Sequence, residues 1–410
     1  MAHIEDRWFT PQRDDDGKLV LNARGKPVMA RTPLYGTGLR YRVRYIGPDG
    51  RERKKSFPDR AKQAAEAFMA TVEADKHRGS FIDPAAGRML FGEFAETWLR
   101  TRTYDKSTME SLELRVRKHI LPFFGSRPLA SIKPSAVAEW DSELAGVLAQ
   151  DTRSVAFAYL RMILTAAVDD ERIAENPCSA KSVKQPRPVE RRVVPWTYDE
   201  ISAIRANLLP RYRPVVDLGG GCGMRQGEIF GLGVDDVDLD GGWVHVRRQV
   251  KRVNSRLVFG LPKNDKDRRV PLPTSIAAPL RAHLAEFPTV KVTLPWEDPF
   301  SDELVTVPLV FVTSRRGAIN RSHFNSKIWH PALAAVGIPH TRATGVHALR
   351  HFYASTLLDA GENVRALATY LGHADPGFTL RIYTHLMPSS EERTHQAIDA
   401  LFASEAAMAA

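Results

Sequence analysis

Three prolines in the stretch "AKSVKQPRPVERRVVPW", at positions 186, 188 and 195, constrain this chain more than any other feature. Proline has no amide donor and clashes with the preceding helical turn, so neither a helix nor a central strand runs through such a segment. Lysines and arginines fill much of the rest and hold it in water. The segment reads as an extended basic linker over 181–196. It divides a chain that, at 410 residues, is expected to form two or three domains.

Upstream of the linker the apolar spacing is helical. "LFGEFAETWLRTR" places Leu90, Phe94 and Trp98 on one face, and "SAVAEWDSELAGVL" and "TRSVAFAYLRMILTAAVDDE" continue the pattern. A helical domain is predicted over 89–180. "GSFIDPAAGR" reads as a second linker before it.

The first 80 residues read differently. Tyr41, Val43 and Tyr45 alternate with Arg40, Arg42 and Arg44, "GPDG" supplies a turn, and Arg51 to Phe57 forms a returning strand. "IEDRWF" supplies a third strand, and Asp59–Arg78 an amphipathic helix with Asp59 as N-cap. Domain 1–80 is thus predicted to be a three-stranded sheet backed by a helix. The chain carries a net charge of +10, and residues 1–80 hold more than half of that surplus. A polyanionic partner, nucleic acid before membrane, fits this distribution. Arg40, Arg42, Arg44, Arg51, Arg53, Lys54 and Lys55 are the candidate DNA contacts, since a small basic sheet can enter a groove. A solvated edge hairpin guarded by charge is the plainer reading of the same residues.

After the linker, from 197 to 410, helix and strand mix. "GGWVHVRRQV", "SRLVFGLP" and "DRRVPLP" read as three short strands. No internal repeat is evident. The fold class is therefore multidomain, mainly α with small β-sheets, ending in a mixed α+β domain. No run of eighteen apolar residues predicts a membrane span, and the acidic start predicts no secretory signal. Two cysteines, Cys178 and Cys222, fit a reducing cytosol.

Four stretches of the last domain hold the candidate chemistry. "GCGMRQGEIFGL" contains Arg225 and Glu228. "GLPKNDKDRRVPLP" contains Lys263 in an expected hairpin turn. "HALRHFYASTLLDAG" contains His347, Arg350 and His351. "LGHADPGFTLRIYTHL" contains His373 and Tyr383, with Asp375 and Pro376 as cap and first residue of a helix between them. Each has a structural alternative: a helix pair, a solvated lysine, a core tyrosine. His347 and His351 have the spacing of a zinc pair, but Ala348 stands where a zinc hydrolase needs Glu. Together the set suits attack on a phosphodiester. Two arginines and imidazole donors clamp an oxyanion, Tyr383 is the nucleophile, and Lys263 protonates the leaving hydroxyl. No carboxylate cluster for magnesium occurs, so neither a metal nor another cofactor is expected.

These motifs, in this order, resemble the tyrosine recombinases, the phage integrases in particular. The resemblance implies a helical core-binding domain and a catalytic domain clamping duplex DNA, with a small N-terminal domain on separate arm-type sites. It implies that Arg225 and Arg350 hold the scissile phosphate, His347 moves protons to and from Tyr383, and His373 hydrogen-bonds the phosphate. Lys263 would protonate the 5′ hydroxyl, and Tyr383 would form a 3′-phosphotyrosine. Glu228 fits as a structural residue, and His351 receives no chemical duty. Integration and excision of a phage or mobile element by a homotetramer on DNA is the function implied, in the bacterial cytosol and on the nucleoid when bound. A directionality factor and a host DNA-bending protein are further expected partners; no membrane is. A type IB topoisomerase or a non-catalytic DNA-binding regulator are the alternatives. Ile398, Leu401 and Phe402 give the C-terminal tail an apolar helical face, which would dock on a neighbour or cover its own domain.

Overall fold

The computed structural model describes residues 2–47, 50–77, 86–189, 192–263 and 267–386, with His395 and Asp399. Ile398, Leu401 and Phe402 of the expected tail helix lie outside these residues. The chain forms two compact units: residues 1–104 with 111–189, and residues 105–110 with 190–410.

In the first unit, strands β1 (His3–Asp6), β2 (Phe9–Pro11), β3 (Met29–Arg31), β4 (Tyr41–Ile46) and β5 (Glu52–Phe57) precede helix α1 (Lys62–His77). The predicted three-stranded sheet is present, in the order β1–β4–β5, antiparallel, with Arg42 opposite both Glu5 and Ser56. Its alternation works as read: Tyr41, Val43 and Tyr45 are buried with Ala65 and Val72 of α1. Helix α1 begins later than expected. Asp59 does not cap it, because Arg40, just before β4, takes that carboxylate at 2.7 Å.

Residues 9–31 contain a repeat that the sequence reading missed. "DDDGK" (14–18) and "NARGK" (22–26) form the same turn: Asp14 Oδ1 accepts the amides of Asp16 and Lys18, and Asn22 Oδ1 those of Arg24 and Lys26. Gly17 and Gly25 complete the two turns with positive φ.

The helical part contains α2 (Phe91–Arg100), α3 (Lys106–Arg115), α4 (Leu121–Phe124), α5 (Pro134–Ala145) and α6 (Gln150–Asp169). Phe91, Phe124, Trp140 and Phe157 meet in a chain of ring contacts at its centre. The Trp140 indole finds the His119 carbonyl at 2.7 Å, so this buried donor is satisfied. The proline-rich segment carries no helix or strand where it is described.

The second unit runs α7 (Tyr198–Ala206), α8 (Arg213–Gly221), α9 (Gln226–Phe230), β6 (Val237–Asp238), β7 (Trp243–Val246), β8 (Gln249–Val253), β9 (Arg256–Gly260), β10 (Arg268–Pro271), α10 (Thr274–Glu286), β11 (Val290–Pro295), β12 (Leu304–Leu309), α11 (Arg321–Phe324), α12 (His330–Ala335), α13 (His347–Asp359), α14 (Val364–Leu371) and α15 (Pro376–Tyr383). Two sequence expectations are corrected. "GGWVHVRRQV" is two strands of different sheets, β7 and β8. The chain changes sheet where Arg247 and Arg248 both turn to the buried Asp236 carboxylate. Lys263 is not in a hairpin turn, because β9 pairs with β8 while β10 pairs with β7; its loop joins two sheets.

One large apolar core holds this unit, from Ile201 of α7 to Leu349 of α13. Helices α8 and α13 approach closely at Gly219, where a Cβ would lie 2.8 Å from a Leu349 methyl. The glycines before Arg225 therefore serve packing, which places α13 beside the start of α9.

Candidate active site

Arg225 is the N-cap of α9 and has extended backbone. Glu228, three residues on, accepts the Arg225 amide at 2.8 Å and its Nη1 at 2.9 Å. A carboxylate in a first helical turn is favourable in itself. Here it does more, because Arg268 of β10 closes on it from the other side. Arg268 donates to both Glu228 oxygens, at 2.9 and 2.7 Å, and through Nε to the Tyr370 carbonyl at 2.7 Å. Burial would raise the Glu228 pKa. The Arg268 hydrogen bonds and charge, and then the Arg225 charge, outweigh it and hold it at about 2.

Arg350, on α13, is buried and charged. Its Nη1 donates to the Gly223 carbonyl at 2.7 Å and its Nη2 to the Leu371 carbonyl. Arg225 Nη2 reaches the next carbonyl, Gly372, at 3.4 Å. Two arginines far apart in sequence thus grip one turn, the C-terminus of α14, where Gly372 has left-handed φ. Gly223 also has positive φ, and a Cβ there would fall 2.4 Å from the Tyr353 ring.

His373 follows that turn. Its Nδ1 lies 2.7 Å from Thr379 Oγ1, which is fully buried on α15. Asp375 caps α15 through the Gly377 amide at 2.8 Å, with Pro376 as the first residue, as the sequence predicts. Helix α15 then carries Tyr383 inward, to 2% exposure among Tyr353, Leu358, Leu367 and Leu371. The Tyr383 hydroxyl lies 2.7 Å from His351 Nδ1. His347, one turn before His351, stands edge-on to it with ring centroids 4.8 Å apart.

Burial lowers the His347 pKa to about 3, helped by His351, Arg350, Arg225 and His373. Burial, then Arg350, Arg225 and Arg268, lowers His373 to about 3 as well. Both imidazoles are neutral at neutral pH. Arg350 is lowered to about 9 by burial and by Arg225, and keeps its charge. Burial pushes the Tyr383 phenol up to about 12, against the pull of Arg350. One carboxylate among three guanidiniums leaves this pocket positive, and that excess suits an anion with several acceptor oxygens.

Five of the six expected catalytic residues, Arg225, His347, Arg350, His373 and Tyr383, therefore come together. Lys263 is exposed on the loop after β9, and among the described residues no hydrogen bond or ion pair joins it to that cluster. The sequence reading missed Arg268 and Thr379 and gave His351 no duty. Arg268 had a signal: it alternates with exposed Arg269 and shares its face with buried Val270.

Of the seven expected DNA contacts, Arg40 and Arg51 immediately precede β4 and β5, and the other five lie on both faces of the first sheet. Arg42 and Arg44 share a face with Lys54, since Arg44 pairs with Lys54 across the strands. Arg53 and Lys55 pair with Tyr45 and Val43 on the helix side, and Lys55 sits 4.1 Å over the Phe68 ring. Acids offset part of the arginine face: Arg40 meets Asp6 at 2.9 Å, and Arg44 meets Glu5 and Glu52 at 3.0 and 3.1 Å.

Comparison with known proteins matches residues 197–390 to the phage integrase family and residues 90–145 to the N-terminal SAM-like domain of phage integrases. The prophage phiRv2 integrase of Mycobacterium tuberculosis is 30% identical over 352 residues, which cover 84% of this chain and 88% of that protein. The integrase of Mycobacterium phage FRAT1 is 27% identical over 327 residues, 77% of this chain and 92% of that protein. Among solved structures, the integrase of the Tn1549 transposon in complex with transposon right end DNA superimposes with a TM-score of 0.63 at 19% identity. That match covers 77% of this chain and all of that one. A lambda integrase tetramer bound to a Holliday junction gives 0.55 at 15% identity, covering 82% and 93%. The structural likenesses concern the fold.

Proposed function

The chain belongs to the phage integrase family of tyrosine recombinases, and on that premise we propose that it cleaves and rejoins duplex DNA through Tyr383. It is a site-specific recombinase acting in integration and excision, and its enzymatic class is DNA strand transfer. The division of labour among its residues is our reading. Arg225 and Arg350 hold the nonbridging oxygens of the scissile phosphate, and His373 adds a donor to them. These groups are preorganised for the charge that builds up in the transition state, which is where they lower the barrier. The Tyr383 hydroxyl attacks phosphorus and forms a 3′-phosphotyrosine. His347 takes part in moving the tyrosine proton, and Lys263 protonates the departing 5′ oxygen. The phosphotyrosine keeps the phosphodiester's bond energy, so the strand is resealed without a nucleotide cofactor.

The observation that carries this reading is the shared grip on one turn. Arg225 and Arg350 both donate to carbonyls of residues 371–372, immediately before His373 and twelve or fewer residues before Tyr383.

Double-stranded DNA, read at core and arm-type sites, is the partner this chemistry calls for. The lambda integrase, seen as a tetramer on a Holliday junction, supports a homotetramer here. A directionality factor and a host DNA-bending protein complete the proposed assembly, at work in the bacterial cytosol on the nucleoid. No helix among the described residues is long and apolar enough to cross a membrane.

The test is a trapping experiment. The protein and its Tyr383→Phe variant are expressed in the source cell, denatured rapidly in detergent, and the DNA attached to protein is sequenced. An adduct on Tyr383 at one or a few loci is the expected result and gives the core sequence. An adduct in Tyr383→Phe would assign the nucleophile elsewhere.

A further inference from the structure

The residue bonded to the Tyr383 hydroxyl is not the histidine that the family resemblance assigns to proton transfer. His351 Nδ1 lies 2.7 Å from Tyr383 Oη, well inside hydrogen-bond range, and the two rings lie 5.7 Å apart. His347 is one helical turn further off, edge-on to His351. Among the described residues no hydrogen bond joins His347 to Tyr383. The three side chains form a row, His347, His351, Tyr383, with Arg350 on the same helix beside it.

We propose that His351 is the group that takes the Tyr383 proton during cleavage and returns it during rejoining, with His347 next in line behind it. This rests on the reading of Tyr383 as nucleophile. In the cleavage step the Oη–phosphorus bond forms while the phenolic O–H bond breaks, and that proton passes to Nδ1. The bond from phosphorus to the 5′ oxygen breaks, and that oxygen takes a proton from Lys263. In rejoining, the 5′ hydroxyl attacks and returns its proton to the neutral Lys263 amine, the phosphorus–Oη bond breaks, and the imidazolium gives its proton back to Oη.

Burial holds the phenol protonated and able to donate. Burial, and then the Arg350 charge, keeps the His351 imidazole neutral, with a pKa of about 4. In the tautomer that carries the ring proton on Nε2, Nδ1 accepts from the phenol. With so weak a base the tyrosine stays unreactive in the free protein. A phosphodiester bound at Arg350 brings negative charge beside the imidazole and raises its affinity for the proton. Activation of the nucleophile is thereby tied to the presence of its substrate.

The core duplex recovered by trapping supplies the assay. A nicked version of it lets the cleaved strand diffuse away, and the covalent adduct is counted on a denaturing gel in a single turnover. Three proteins are compared: wild type, His351→Asn, whose amide oxygen accepts the hydrogen bond without holding a proton, and His351→Ala. Retention of the duplex in a native gel is measured in parallel. His351→Asn is expected to bind the duplex as wild type does and to form adduct about 100-fold more slowly, the scale of a lost general base. His351→Ala is expected to be as slow and to recover about tenfold when imidazole is added, since a small base can then fill the cavity. An adduct rate for His351→Asn within about threefold of wild type, the absence of imidazole rescue, or a parallel loss of DNA binding would each overturn the proposal by leaving His351 a structural role. A wild-type protein that binds the duplex and forms no adduct overturns the Tyr383 reading itself, and this proposal with it.

Discussion

Arg268 and Glu228 meet through two hydrogen bonds, 2.9 and 2.7 Å long, with both side chains shut away from water. Glu228 in turn holds Arg225, so the guanidinium proposed to meet the phosphate is oriented by a carboxylate that a second arginine, Arg268, fixes in place. Removing one partner of such a buried pair strands the other charge. Arg268→Met is expected to cost about 3–5 kcal/mol in urea unfolding and to lower adduct formation further through a mobile Arg225. Arg268→Lys should restore little of either, because one ammonium cannot bridge both carboxylate oxygens.

The same carboxylate gives a signed pH dependence. Its folded pKa, about 2, lies below the ordinary value of 4.5. A depressed carboxylate contributes stability that is complete above the unfolded pKa and is lost as pH falls toward the folded one. Glu228 is therefore expected to add about 3 kcal/mol above pH 5 and progressively less between about pH 4.5 and 2. Other carboxylates titrate in this window as well. The check is the difference between wild type and Glu228→Gln in melting temperature against pH: it should be large at pH 6 and shrink toward pH 2.5.

Gly223 combines a left-handed backbone with no room for a Cβ, 2.4 Å from the Tyr353 ring. Its carbonyl also accepts from Arg350. Gly223→Ala is expected to cost about 2–4 kcal/mol, from the left-handed conformation plus overpacking. Adduct formation should fall by more than the lost folded fraction explains, because the displaced carbonyl releases Arg350. Equal losses in folded fraction and in adduct would mean that Arg350 does not depend on this carbonyl.

Much of this architecture is legible in the chain because its signals are local. Phe94 and Trp98, read at helical spacing, are buried together in α2, while Leu90 is its N-cap and Phe91 takes its place in the core. Tyr41, Val43 and Tyr45 alternate and face one helix. The residues of the candidate site lie in short stretches whose caps can be read directly, as at Asp375 and Pro376. What escaped depends on partners remote in sequence. Arg268 meets Glu228 across 40 residues, and in the chain it looks like one of several solvated cations. Asp59 has the composition of a helix cap, but a tertiary contact with Arg40 claims it. His351 looks idle in its motif until α15 brings Tyr383 back 32 residues later.

Strand register separates two lysines that are neighbours in sequence. Lys54 lies opposite Arg44 on the sheet face away from α1, whereas Lys55 covers Phe68 on the helix face. If the first sheet holds arm-site DNA by its arginine face, Lys54→Ala should weaken binding and reduce the slope of log K against log salt by about 0.9, the share of one phosphate contact. Lys55→Ala should leave that slope unchanged and cost about 0.5–1 kcal/mol of stability through its lost ring contact. Equal salt slopes for Lys54→Ala and wild type would remove Lys54 from the interface.

Lys263 is the one expected catalytic residue that stands apart, exposed on a loop between two sheets. A proton donor to the leaving oxygen has to reach the far side of the phosphate from Tyr383. A long side chain on a loop outside the buried cluster is suited to arrive there once DNA is bound. Lys263→Ala is expected to slow single-turnover cleavage of the ordinary core duplex by about 100- to 1,000-fold, with little change in DNA affinity. A duplex with sulfur in place of the 5′ bridging oxygen supplies a leaving group that needs no proton. On that duplex Lys263→Ala should cleave at close to the wild-type rate, while the wild type gains little. A variant equally slow on both duplexes would show that Lys263 does not act as the acid. The 5′ oxygen would then take its proton from a different group.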